Sequence, residues 1–340
     1  MSNDGMRILT GLFLLAACSA PVTAGSLYVS DASFDTVSMF DATTGALTGT
    51  LIPTGGWGEP TGIAVGPDGD VYVADAVDNV VDRFSADGTF LGTFISSGLY
   101  EPSGLAFGPD GYLYVANWGP GNDSYIVRFD SSGNPVDATP FVPSSTGLYD
   151  PGAIAFGPDG NLYIADSSND ALDKVIRTTG AFSTLVSAGC PSTPFSNPQG
   201  VTFGPDQNLY VSDAGYGCYD PSVPGDYAAF GVYKYDTSGN LLGTFGAVNV
   251  LDTPIDLAFG PDGNLYVTDD QARVARFNGT TGAYMDDFVA NGGSAGPLNS
   301  PTFLAFSGAS GVPEPATLGM MGLGLAGFVL RRLLRRSARA

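Results

Sequence analysis

Gly62-Ile-Ala-Val-Gly-Pro-Asp-Gly-Asp-Val-Tyr-Val-Ala-Asp75 is the stretch on which the fold of this 340-residue chain turns. An apolar run meets Gly-Pro-Asp-Gly, a tight turn in which Pro presets φ and the last Gly takes positive φ. A second run, rich in Val and Tyr, has the composition of a strand. The phrase returns at residues 104–117, 153–166, 200–213 and 256–269. Its second half stands alone at 26–31, and its first half alone at 302–307. The aligned tyrosines Tyr28, Tyr72, Tyr114, Tyr163, Tyr210 and Tyr266 are 44, 42, 49, 47 and 56 residues apart. Repeats of that length, each with four short strands, predict a β-propeller. Two further strands are expected after each phrase, as at Val80–Phe84 and Phe90–Ile95, joined by turns such as Ala86-Asp87-Gly88 or Thr43-Thr44-Gly45.

The two half-phrases predict how the ring closes. The N-terminal end supplies three strands of one blade, and the C-terminal end supplies its innermost strand, around residues 303–306. Their pairing leaves no open edge. The expectation is an all-β, six-bladed propeller over residues 26–308.

Composition agrees. The chain carries 48 Gly and 24 Pro, which mark turns, together with 44% hydrophobic residues, enough for a packed core. Its acids are almost all Asp, a turn former; only Glu59, Glu101 and Glu314 are Glu. Turn chemistry explains most of that excess, with cation binding as the alternative. Between positions 25 and 312 there are 7 basic and 32 acidic residues. Such a body repels nucleic acid and anionic lipid. The absence of His removes Ser-His-Asp and Cys-His catalysis and any His-ligated metal.

Both ends read as processing segments. Arg7, the apolar run 8–17 and Val22-Thr23-Ala24 make residues 1–24 a secretion signal. Leu15-Ala16-Ala17-Cys18 offers a competing site, at which Cys18 would be lipidated. At the other end Val312-Pro313-Glu314-Pro315 precedes the apolar run 316–330 and Arg331-Arg332-Leu333-Leu334-Arg335-Arg336. The prolines stop any strand and keep the peptide extended. The apolar run reads as a short transmembrane helix with the arginines snorkelling and holding its end in the cytoplasm.

The tail, 312–336, closely resembles the PEP-CTERM sorting signal of Gram-negative bacteria. The resemblance implies an exosortase-type membrane enzyme as partner and processing at Val312, Pro313, Glu314 and Pro315. It also implies inner-membrane anchoring, then release to the cell surface or beyond, in company with exopolysaccharide and biofilm systems. The repeated phrase resembles NHL-repeat and gluconolactonase/regucalcin-like propellers. Enzymatic members of the lactonase-like group hold a divalent cation with Glu, Asn and Asp at the start of the innermost strands. Here those positions are Thr61, Ser103, Gly152, Gln199, Ile255 and Thr302, with no carboxylate among them. Asp256 and Glu59 stand near but form no ligand set, so no metal site is expected. A streptogramin-lyase type of reaction needs a catalytic His and is excluded.

Two further sets lie in the loops of one face. Asp31, Asp75, Asn117, Asp166, Asp213 and Asp269 end the second strands; hydrogen bonding to loop backbone is their expected role, with weak calcium binding as the alternative. The aromatics Trp57, Tyr100, Trp118, Tyr149, Tyr216 and Tyr219, with Phe195 and Tyr227, form a candidate face for glycan or protein. Cys190 and Cys218 are expected to pair once the chain is exported. The expected function is therefore a non-catalytic envelope or extracellular-matrix protein, without cofactor, that binds exopolysaccharide or envelope proteins. A metal-dependent lactonase-like hydrolase and a scaffold without ligand are the alternatives.

Overall fold

The computed structural model describes residues 25–53, 58–121, 123–187, 196–215, 230–246, 250–291 and 296–307. Six antiparallel sheets follow one another as blades. Blade 1 has the order Pro301–Phe306, Ser26–Asp31, Thr36–Asp41, Leu47–Ile52. Blade 2 runs Pro60–Val65, Val71–Asp75, Val80–Phe84, Phe90–Ile95, the two outer strands falling where the sequence places them. Blades 4, 5 and 6 repeat the pattern from Pro151–Phe156, Pro198–Phe203 and Pro254–Phe259.

The ring closes as expected. Leu27 faces Phe306, Tyr28 faces Ala305 and Val29 faces Leu304. Ser26 and Ser307 fasten the end, with Ser307 N–H donating to Ser26 O at 2.8 Å. The expected tail helix at 316–330 lies outside the described residues. Among the described residues no helix is long and apolar enough to cross a membrane.

Blade 3 corrects the expectation of four strands in every blade. It has three: Pro102–Phe107, Leu113–Asn117 and Tyr125–Phe129. Only isolated bridges, Ile126 to Val142 and Phe129 to Pro135, cover its outer edge. The reason is local. Pro135, Pro140 and Pro143 occupy the segment that would supply the fourth strand, and proline has no N–H for a ladder.

Each residue of the phrase has a packing role. In blades 2 to 6 the strand-two tyrosine meets the last strand-one phenylalanine of the next blade edge-on. Tyr72–Phe107, Tyr114–Phe156, Tyr163–Phe203, Tyr210–Phe259 and Tyr266–Phe306 have ring centroids 4.8–5.0 Å apart. Such pairs contribute about 0.5–1.5 kcal/mol beyond their buried area. The same tyrosines donate their hydroxyls to the turn aspartates Asp68, Asp110, Asp159, Asp206 and Asp262 at 2.8–3.0 Å. The buried polar end of each ring is thereby satisfied. Gly62 shows why the inner strand begins with small residues: a Cβ there would lie 2.1 Å from the Ser103 carbonyl of the next blade.

Two faces result. The Gly-Pro-Asp-Gly turns crowd one, here the turn face. The loops before the inner strands, and those joining strands two and three, open on the other, the loop face.

Candidate functional site

On the loop face the row Asp31, Asp75, Asn117, Asp166, Asp213 and Asp269 is buried at the strand ends. Each member accepts a hydrogen bond from loop backbone. Asp75 accepts Val77 N–H and Asp78 N–H with one oxygen, and Gly58 N–H with the other. Asp213 accepts Gly215 N–H and Ser196 N–H. Asn117 accepts Tyr100 N–H, and Asp166 accepts Tyr149 N–H. Asp31 reaches Ser33, Phe34 and Ser300. These side chains set the height of the loops above the strands. Burial pushes the Asp213 carboxyl up to about 7, opposed by the N–H groups of Ser196 and Gly215.

One pair of loops held this way encloses a cleft of about 360 Å³ between blades 2 and 3. That size falls within the ~300–1,000 Å³ of ordinary ligand sites. Its lining includes Tyr100 and Trp118, Glu59 and Glu101, and Val77 and Asn79. Trp118 stands directly after Leu113–Asn117. Its backbone N–H donates to Glu101 O at 3.2 Å. Its indole N–H donates to Pro151 O of blade 4 at 3.0 Å. The ring is pinned at its edge and remains 40% exposed. Tyr100 is 39% exposed and fixed through its N–H to Asn117 at 3.0 Å. Glu101 N–H donates to Asn79 Oδ1 at 2.6 Å, and Ala76 N–H donates to Glu59 O at 2.9 Å. Glu101 holds φ at 42°, a strained value directly before a proline. Asp150, Asn197 and Thr253 do the same at equivalent places, so the strain belongs to the ring rather than to the cleft.

The candidate aromatics therefore separate. Tyr100 and Trp118 come together. Tyr149 lies one blade further on, outside this lining. Trp57, Tyr216 and Tyr219, like Phe195 and Tyr227, lie outside the described residues, as do Cys190 and Cys218 and the processing motif Val312 to Pro315. Sequence reasoning did not place Glu101 at the site. The signal was present: both glutamates of the ring sit in loops, where Glu has none of the turn chemistry that explains Asp.

The central channel is a different environment. Its cavity of about 260 Å³ is lined almost wholly by apolar inner-strand side chains. Phe303 crosses it, touching the core of blades 4 and 5 on one side and of blades 1 and 2 on the other. Asp256 is the one ionisable group of that lining. The inner-strand positions Thr61 and Ser103 spend their hydroxyls on Pro102 O and Pro151 O of the next blade, at 2.7 and 2.6 Å. Gln199 donates to Asn197 Oδ1 at 2.5 Å. Among the described residues no three His, Cys, Asp or Glu gather as a metal-ligand set.

Comparison with known proteins bears on both ends of the chain. The family model described as the PEP-CTERM protein-sorting motif matches residues 311–336, and the model described as the NHL repeat matches residues 58–79. No curated protein matches significantly in sequence. Among solved structures, a chain from a nidogen/laminin complex matches with a TM-score of 0.64 at 18% identity, covering 83% of this chain and 98% of that one. Virginiamycin B lyase from Staphylococcus aureus matches with a TM-score of 0.54 at 19% identity, covering 76% and 79%. A protein of unknown function from Bacteroides caccae matches with a TM-score of 0.59 at 14% identity, covering 84% and 100%. At such identities the likeness is one of fold, and this fold hosts many activities. The chain is thus a six-bladed propeller that matches the NHL repeat over residues 58–79 and carries a PEP-CTERM sorting motif. That motif marks it for export and for processing by an exosortase, a membrane enzyme.

Proposed function

We propose that the exported propeller is a non-catalytic envelope or matrix protein that binds glycan in the cleft between blades 2 and 3. The pinned, half-exposed Trp118 carries this reading. An indole fixed at its edge, with a free face beside Tyr100, suits the apolar face of a sugar ring. Glu59, Glu101 and Asn79 supply polar groups for the hydroxyls around it. The sorting motif favours the same context, since it sends the ring out of the cell.

A lyase reaction of the virginiamycin B type is less well supported. A histidine-to-alanine variant of that enzyme is described as catalytically inactive, and this chain has no His. A lactonase-like reaction would need metal ligands that the described residues do not assemble.

The test is retention of the full-length protein on extracellular polysaccharide isolated from the producing bacterium. Trp118→Ala should lower retention at least tenfold with the thermal transition unchanged. Equal retention of Trp118→Ala and the parent protein would sink the reading.

A further inference from the structure

The charge around the cleft narrows its ligand, given the glycan-binding reading on which this step rests. The ring has seven cations, and every one is engaged. Arg83, Lys174, Arg177, Lys234 and Arg276 pair with the turn aspartates Asp68, Asp159, Asp110, Asp206 and Asp262. Arg128 pairs with Asp137. Arg273 is buried between Asp269 and Asp287. None of the seven lines the cleft.

The cleft instead holds Glu59 and Glu101, both exposed. Their backbones are tied, yet no side-chain hydrogen bond or ion pair engages either carboxylate among the described residues. Two carboxylates beside two half-exposed aromatic rings repel an acidic polymer. They attract an ammonium group twice over, by opposite charge and by the negative faces of Trp118 and Tyr100. A pyranose stacked on Trp118 would bring its ring substituents toward the glutamates.

We infer that the cleft selects glycans bearing free amino groups, that is, amino sugars that are not N-acetylated. The experiment compares three six-sugar probes on the full-length protein in detergent: a glucosamine oligomer, its N-acetylated counterpart and a uronic-acid oligomer. All three titrations are run in one buffer at low ionic strength, so that charge contacts are not screened. Two exposed charge contacts correspond to about tenfold in affinity. The glucosamine oligomer should bind about tenfold tighter than the N-acetylated one, and the uronic-acid oligomer weakest. Glu59→Gln/Glu101→Gln should bring the first two within about threefold without weakening the N-acetylated oligomer. Trp118→Ala should abolish both.

Equal or tighter binding of the N-acetylated or acidic oligomer overturns the inference but leaves glycan binding intact. A preference that survives in the double Gln variant is diffuse attraction by the acidic body and overturns it too. Absence of binding to all three overturns the inference, and retention on the isolated polysaccharide then decides whether the glycan reading falls with it.

Discussion

Asp256 offers the sharpest test of how the ring is held shut. It stands on the inner strand of blade 6, where the equivalent residues of blades 2, 3 and 5 are Gly62, Gly104 and Gly200. Its carboxylate reaches the closing strand, accepting Leu304 N–H at 3.1 Å, and is only 7% exposed. Burial raises its pKa from the ordinary 3.8 to about 7, with the N–H groups of Leu304 and Leu257 opposing. A group whose folded pKa is raised keeps its proton longer in the native state. Stability is then fully present below the unfolded pKa and is lost as pH rises through the folded one. At about 1.4 kcal/mol per tenfold change in acidity, ionised Asp256 costs the fold up to ~4 kcal/mol at high pH. About 2.5 kcal/mol of this is lost between pH 5 and pH 8. Asp256→Asn keeps an oxygen for Leu304 and cannot ionise. Urea unfolding of both proteins at the two pH values measures the difference. Relative to the parent, the Asn variant should gain about 2.5 kcal/mol on going from pH 5 to pH 8. A gap that changes by less than about 0.5 kcal/mol would refute the reasoning.

Three other perturbations follow from the packing. Arg273→Met leaves fully buried Asp269 without its cation and should cost about 3–5 kcal/mol in urea unfolding; adding Asp269→Asn should recover part of it. Gly62→Ala forces a methyl to within 2.1 Å of the Ser103 carbonyl, so the midpoint should fall by the equivalent of about 1–3 kcal/mol; an unchanged midpoint would show that the blades can part. Gln207 holds φ at 64° where four sibling turns have glycine, and Gln207→Gly should raise stability by about 0.5–1 kcal/mol.

The architecture was legible because the phrase is a complete local unit. Its turn, its tyrosine and its phenylalanine act within one blade or on the next, so one repeat explains all of them. Closure was legible for the same reason, since each half-phrase lacked what the other supplied. The expectation for blade 3 failed because the 49-residue spacing from Tyr114 to Tyr163 leaves ample length for a fourth strand. The prolines within that length were the better guide. The cleft was only half legible. Tyr100 and Trp118 were identifiable as loop aromatics. Their meeting depends on Asn117 gripping a loop 17 residues upstream, a tertiary tie that no local pattern announces. Tyr149 occupies the same place in its own repeat as Tyr100, yet among the described residues only Tyr100 has a tryptophan beside it.

The closing strand has a mechanical consequence. Pro301–Phe306 runs from the loop face to the turn face, and the chain leaves the ring at Ser307, four residues before the sorting motif begins. Tension applied to the chain beyond Ser307 would therefore enter through the strand that locks the ring and run along its length. Its hydrogen bonds to Ser26–Asp31 would be loaded in shear, sharing the force, rather than unzipped one at a time. The cleft opens on the opposite face, away from the point at which the described chain leaves the ring.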